Sequence, residues 1–187
     1  MIKFQKVRTA FNLLTDLWKR TSLIEKLYRN DKWHECIAKC KQAIQYKNPD
    51  FWVYYYLGLS YHNLNLIDES TQYLEQGLRM LQEKKPDKTT RQHILYIQHH
   101  LIHNLRKQRD YSNAIIKLNQ PIGENPDYIP FNLIKAGISE ELDEIEQSIK
   151  AVSDGLIIEP RNKELDELRK HFSYSYSLEQ SEKRNSG

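Results

Sequence analysis

Residues 51–81 read FWVYYYLGLSYHNLNLIDESTQYLEQGLRML and hold two apolar patterns of helical period around a polar turn. In the first half, Tyr54, Leu57, Gly58 and Tyr61 recur on one side of a helix. In the second half, small and large residues alternate at the same period. The stretch therefore predicts two short antiparallel helices.

The same spacing recurs along the chain. The interval from Cys36 to Ser70 equals the interval from Pro126 to Pro160. Paired helices with a period of about 34 residues resemble the tetratricopeptide repeat (TPR), whose W-x2-L-G-x2-Y motif matches residues 54–61 except that a tyrosine replaces the tryptophan. The resemblance implies an all-α, right-handed α-solenoid, a TPR-like superhelix of three to four antiparallel helix hairpins with terminal capping helices.

The resemblance also divides the chain into segments. We expect an amphipathic packing helix at 1–16, repeats over 17–160 (about 17–50, 51–84, 95–128 and 129–160), a capping helix at 161–173, and a disordered tail at 174–187.

Three local signals predict where helices begin or end. Thr89 or Thr90 can cap the first helix of the third unit, and Ser139 can cap the second helix of the fourth. Pro121 is expected to end or kink its helix early, because proline removes a backbone donor.

Composition limits the function classes. The chain has 187 residues, a net charge of +3 and two cysteines, and it contains no apolar run of membrane-spanning length. A soluble cytoplasmic protein is expected, and nucleic acid is not an expected partner. The segment 1–20 is basic and amphipathic, so it fits either a packing helix or a membrane or organelle contact.

No catalytic or metal motif stands out. Cys36 and Cys40 occupy packing positions of a repeat, and His99 and His103 share a helix face without the glutamate of a zinc-protease motif. The acidic run at 140–146 suits a solvated helix start. The sequence thus predicts no enzyme, no cofactor and no metal, whereas the histidines suggest pH-sensitive partner binding.

The resemblance implies that the first helices of the hairpins line a concave groove, which holds a peptide or helix of a partner protein. Some TPR proteins grip a chaperone carboxylate with Lys, Asn and Arg, but this chain has Thr21, Glu25, Tyr56, Tyr96 and His100 at those places. Arg29, Arg106 and Lys107 favour an acidic partner. The predicted groove residues are Tyr28, Arg29, Trp52, Tyr55, Leu59, His62, Asn63, Tyr96, His99, His103, Arg106 and Lys107.

These features predict a non-catalytic protein-binding adaptor, with a dedicated chaperone or inhibitor as its specific role. The alternatives are a membrane- or organelle-associated scaffold that uses the N-terminal helix, and an immunity protein that binds a toxin. Homo-oligomerisation stays open.

Overall fold

A computed structural model of the protein describes residues 22–45, 49–83 and 87–185, and helices connected by short turns make up these ranges. The segment 1–16, expected to form a packing helix, lies outside the described residues. The helices are α1 (within 22–29), α2 (Trp33–Ile44), α3 (Phe51–Asn63), α4 (Ile67–Gln82), α5 (Lys88–Lys107), α6 (Tyr111–Glu124), α7 (Ile129–Glu141), α8 (Ile145–Ile158) and α9 (Lys163–Asn185). This confirms the expected all-α fold of helix hairpins.

The chain forms two compact units, Met1–Asn104 and Leu105–Gly187, and α5 runs through the boundary. In the first unit, α3 packs against both α2 and α4. In the second, α7 packs against α6 and α8, and α8 packs against α9. Of the helices that the structure describes, none is both long and apolar enough to cross a membrane.

Four hairpin turns share one hydrogen-bond pattern, the Schellman motif, in which a backbone N–H reaches back to a carbonyl of the preceding helical turn. The bonds run from Lys32 N to Leu27 O (3.0 Å), Leu66 N to Tyr61 O (2.9 Å), Asp110 N to Leu105 O (2.9 Å) and Glu144 N to Ser139 O (2.8 Å). The residue before each donor adopts a positive φ: Asp31 (57°), Asn65 (59°), Arg109 (60°) and Asp143 (58°).

The spacing of these turns carries the repeat. The interval from Asp31 to Asn65 equals that from Arg109 to Asp143, and both match the TPR period, whereas the interval from Asn65 to Arg109 is longer. The longer interval contains the connection to α5 and the 20 residues of that helix. Aspartate and asparagine tolerate the left-handed conformation, so Arg109 is the costly member of the set.

Gly58 lets α3 and α4 approach closely. A Cβ at this position would lie 2.6 Å from Leu74 Cγ and 3.1 Å from the Ser70 carbonyl oxygen. The glycine of the repeat signature therefore serves packing between the two helices rather than backbone freedom.

The core of the first unit includes both cysteines. Cys36 and Cys40 are fully buried free thiols, and Cys36 Sγ donates to the Ile24 carbonyl at 3.6 Å. In the second unit, Val152, Leu165 and Phe172 anchor α9 on α8. A buried thiol acts as a small apolar side chain, as the repeat position requires.

The C-terminal prediction differs from the structure, because residues 174–185 continue α9 instead of forming a disordered tail. Tyr176 Oη donates to Glu146 Oε1 at 2.9 Å, which ties the extension to α8. Lys183 and Glu179 form an i,i+4 ion pair, and the segment holds neither Gly nor Pro before residue 187.

Three helix-end predictions also need correction. Asp87 rather than a threonine caps α5, since its Oδ1 accepts from Thr90 N at 2.6 Å, and α5 begins before the expected unit boundary at 95. Ser139 is buried within α7. Pro121 does not end α6, which reaches Glu124, because a proline in the last turn removes only one donor and its carbonyl still accepts from Asn125 N.

Candidate functional site

The first helices of successive hairpins in the first unit carry a contiguous set of aromatic and imidazole rings. Trp52, Tyr55 and Tyr56 lie at i, i+3 and i+4 on α3 and contact one another, with ring centroids 5.4–5.9 Å apart. We call the following residues the ring surface: Tyr28 of α1; Trp52, Tyr55, Tyr56 and His62 of α3; and His93, His99, His100 and His103 of α5. All of them are half-buried.

Ring contacts join the three helices. Tyr28 lies 5.5 Å from Tyr56, which links α1 to α3. Trp52 lies 4.5 Å from His93 in an edge-on arrangement, and Tyr55 lies 6.1 Å from His100, which link α3 to α5. Offset and edge-on pairs are the favoured geometries of such rings, so the surface is held together by its own contacts.

A buried polar network fixes the far end of the ring surface. Asn104 is fully buried, and its Nδ2 donates to Ser70 Oγ at 2.9 Å and to Thr71 Oγ1 at 3.0 Å. Its Oδ1 therefore faces His62 Nδ1, at 2.6 Å, as an acceptor. This arrangement assigns a proton to His62 Nδ1 and sets the orientation of that ring.

The electrostatics of the surface follow from burial. Burial lowers the pKa of His100 to about 3, with further lowering by His99, His62 and His103. Burial and then His62 lower the pKa of His99. Both imidazoles are consequently uncharged at neutral pH.

Burial also keeps the phenol of Tyr56 in its uncharged form. Burial raises its pKa to about 12, so the ring keeps its hydroxyl proton.

Two of the three cations expected to favour an acidic partner, Arg29 and Arg106, face carboxylates instead. Arg29 pairs with Glu25 at 2.6 Å on α1. In the second unit, Arg106 binds Glu141 Oε1 through Nη2 at 3.0 Å and Nε at 3.2 Å, and its guanidinium lies over Gly137. Within the second unit, Arg106 thus connects the last turn of α5 to α7, and Lys107 is exposed at the end of α5.

The remaining predicted groove residues fall into different environments. Asn63 Nδ2 donates to Tyr28 Oη at 3.2 Å, a further link between α3 and α1. Tyr96 accepts from Gln92 of its own helix at 2.8 Å. The prediction that Leu59 lines the groove is wrong. This side chain is only 4% exposed and packs in the core against α4 and α5.

Four residues of this region were missing from the predicted groove, namely Tyr56, His93, His100 and Asn104. Asn104 had a readable signal, because it follows Ile97 and Leu101 at core spacing and so predicts a buried polar group. Tyr56 and His100 are adjacent in sequence to predicted groove residues, and only the contact between helices shows that both neighbours share the surface.

The cysteines and histidines considered as metal ligands do not form a metal site among the described residues. Across residues 22–45, 49–83 and 87–185, no group of three or more His, Cys, Asp or Glu side chains has the arrangement of a metal site.

Several solved structures are similar to this chain. A chain of the APC/C hetero-tetramer Cut9–Hcn1 aligns with a TM-score of 0.69 at 15% identity over 82% of this protein, which spans 29% of that chain. MamA from Desulfovibrio magneticus RS-1 aligns with a TM-score of 0.63 at 12% identity, over 90% of this chain and 96% of that one. MamA from MSR-1 aligns with a TM-score of 0.60 at 13% identity, over 89% and 90%. No family model matches the sequence, and no curated protein does.

Proposed function

Because this protein has the helical repeat fold of TPR-containing structures, we propose that it is a non-catalytic adaptor that binds another protein through the ring surface. The observation that carries the proposal is the unbroken chain of half-buried rings across α1, α3 and α5. Large aromatic side chains dominate the energetics of protein interfaces. In the TPR family, this set of helices holds a peptide or helix of the partner.

The expected partner chemistry is apolar with neutral polar groups. His99 and His100 are uncharged at neutral pH, and Arg29 faces Glu25. A partner segment rich in aliphatic or aromatic side chains suits such rings better than the acidic segment expected from sequence. A neutral imidazole also offers one donor and one acceptor to the partner backbone.

A dedicated chaperone or inhibitor role and a cytoplasmic location are narrower predictions of the same proposal. They depend on the identity of the partner, which binding experiments with the ring surface can supply.

The test compares two double variants in capture from the native extract. Tyr55→Ala/His93→Ala removes two rings of the surface, whereas Ile116→Ala/Ile157→Ala removes two exposed apolar side chains (67% and 78% exposed) elsewhere. Circular dichroism establishes that both variants fold.

We expect one partner to be captured by wild type and by the isoleucine variant. With the purified partner, the ring variant should bind about 10- to 100-fold more weakly. Equal affinity of both variants would place binding outside the ring surface and refute the proposal.

A further inference from the structure

Four imidazoles of the ring surface form a cluster between α3 and α5. His62 of α3 lies 5.9 Å from His100 and 5.1 Å from His103, measured between ring centroids. His99 lies 5.1 Å from His100 and 6.4 Å from His103. Protonation of more than one member would place like charges at these distances in a partly buried site.

The surroundings of the cluster favour its neutral form. The groups that act electrostatically on His100 are His99, His62 and His103. From α3, the phenol of Tyr55 also faces it, and α4 contributes the hydroxyls of Ser70 and Thr71 through Asn104.

The charged pair of α1 acts elsewhere. Glu25 and Arg29 both influence the phenol of Tyr56, and neither affects the pKa of His100 or His99. The charge state of His99 and His100 is therefore not set by this pair.

We propose that the imidazole cluster is an acid-sensitive latch, whose protonation separates α5 from α3 and disassembles the ring surface. The conformational step concerns the protein alone. Only its consequence, release of a bound partner at low pH, rests on the function proposed above.

The direction of the effect follows from proton linkage. His100 has a lowered pKa in the folded protein, so the unfolded chain binds a proton near pH 6.5 and the folded one binds it only near pH 3. The stabilisation that neutral His100 gives is fully present above pH 6.5, the ordinary pKa of histidine. It is lost as the pH falls from 6.5 towards the folded-state pKa of about 3. Between about pH 7.5 and pH 5, His100 alone should raise the unfolding constant about 30-fold.

The experiment uses the full chain with two readouts. Titration of the histidine ring carbons by NMR follows each imidazole in the wild type. Chemical denaturation at several pH values then compares wild type, His100→Gln and His34→Gln, in which the replaced histidine is exposed on α2.

We expect the His100 resonance to stay neutral through pH 5 and the His34→Gln protein to keep the wild-type pH dependence. His100→Gln should lose about a 30-fold rise in the unfolding constant. A His100 ring that titrates near 6.5, or a His100→Gln protein with the wild-type pH dependence, would overturn the latch.

Failure to capture a partner at neutral pH would count against the proposed function. It would not change the expected results of the histidine titration or of the denaturation experiment. Conversely, a partner that stays bound at pH values where the His100 ring is protonated would overturn the link between the latch and release.

Discussion

Replacing Gly58 by alanine should destabilise the protein, although alanine favours a helix by about 1 kcal/mol relative to glycine. The new Cβ would lie 2.6 Å from Leu74 Cγ and 2.9 Å from its Cδ2. Leu74 is fully buried and the Ser70 carbonyl oxygen blocks the other side at 3.1 Å, so neither neighbour can move cheaply. Overpacking of this kind costs about 3 kcal/mol, which leaves a net loss of about 2 kcal/mol.

Gly123 provides the matched control. It is also helical, in the last turn of α6, but a Cβ there would meet no atom within 4 Å. Gly123→Ala should therefore stabilise the protein by about 0.5 kcal/mol. Urea denaturation followed by circular dichroism measures both free energies of unfolding, which should change in opposite directions.

A third variant tests the cause. Leu74→Ala removes the atoms that the new Cβ would meet, so Gly58→Ala in that background should become neutral or stabilising by up to about 1 kcal/mol. The same loss at Gly58 with or without the leucine would refute the packing explanation, as would a Gly58→Ala protein at least as stable as wild type.

Three further outcomes are expected from denaturation experiments on the same chain. Arg109→Asn should raise the free energy of unfolding by about 0.5–1 kcal/mol because asparagine tolerates a φ of 60°, while Asp31→Asn should change little; equal effects would contradict the strain assigned to Arg109. Asn104→Leu should lower it by about 2–3 kcal/mol by leaving buried polar partners unpaired, and a neutral result would count against that network. Glu141→Gln should cost about 0.5 kcal/mol at low salt and nothing at about 1 M salt, since the ion pair with Arg106 is partly exposed; a salt-independent loss would show that charge is not the cause.

The hairpin architecture was predictable because it rests on local spacing. Small residues such as Cys36 and Ser70 recur where two helices approach, and the turns repeat at the same interval. Such patterns lie within a single repeat and need no knowledge of how distant segments meet.

The ring surface was only partly predictable, because it depends on the rotation of α5 relative to α3. Sequence placed Leu59 beside Tyr55 on one helical face, yet α4 and α5 cover Leu59 and leave Tyr56 at the surface. Likewise, Arg106 of α5 pairs with Glu141 at the end of the next hairpin's first helix, and a charge count does not reveal that contact.

The prediction of a disordered C-terminal tail was wrong for another reason. The segment after Phe172 is polar, and polarity was interpreted as disorder. Helix formation there uses the i,i+4 pair of Glu179 and Lys183 and one hydrogen bond to Glu146, neither of which needs an apolar stripe.

The packing of several helices against their immediate neighbours in sequence also bears on how the protein forms. Within each unit, α3 packs against α2 and α4, and α8 packs against α7 and α9. Contacts of such short sequence separation close small loops, and proteins dominated by them fold within microseconds to milliseconds. During synthesis, the hairpins of Met1–Asn104 can assemble while the ribosome is still translating the later helices. Little apolar surface therefore stays exposed until a distant part of the chain is made.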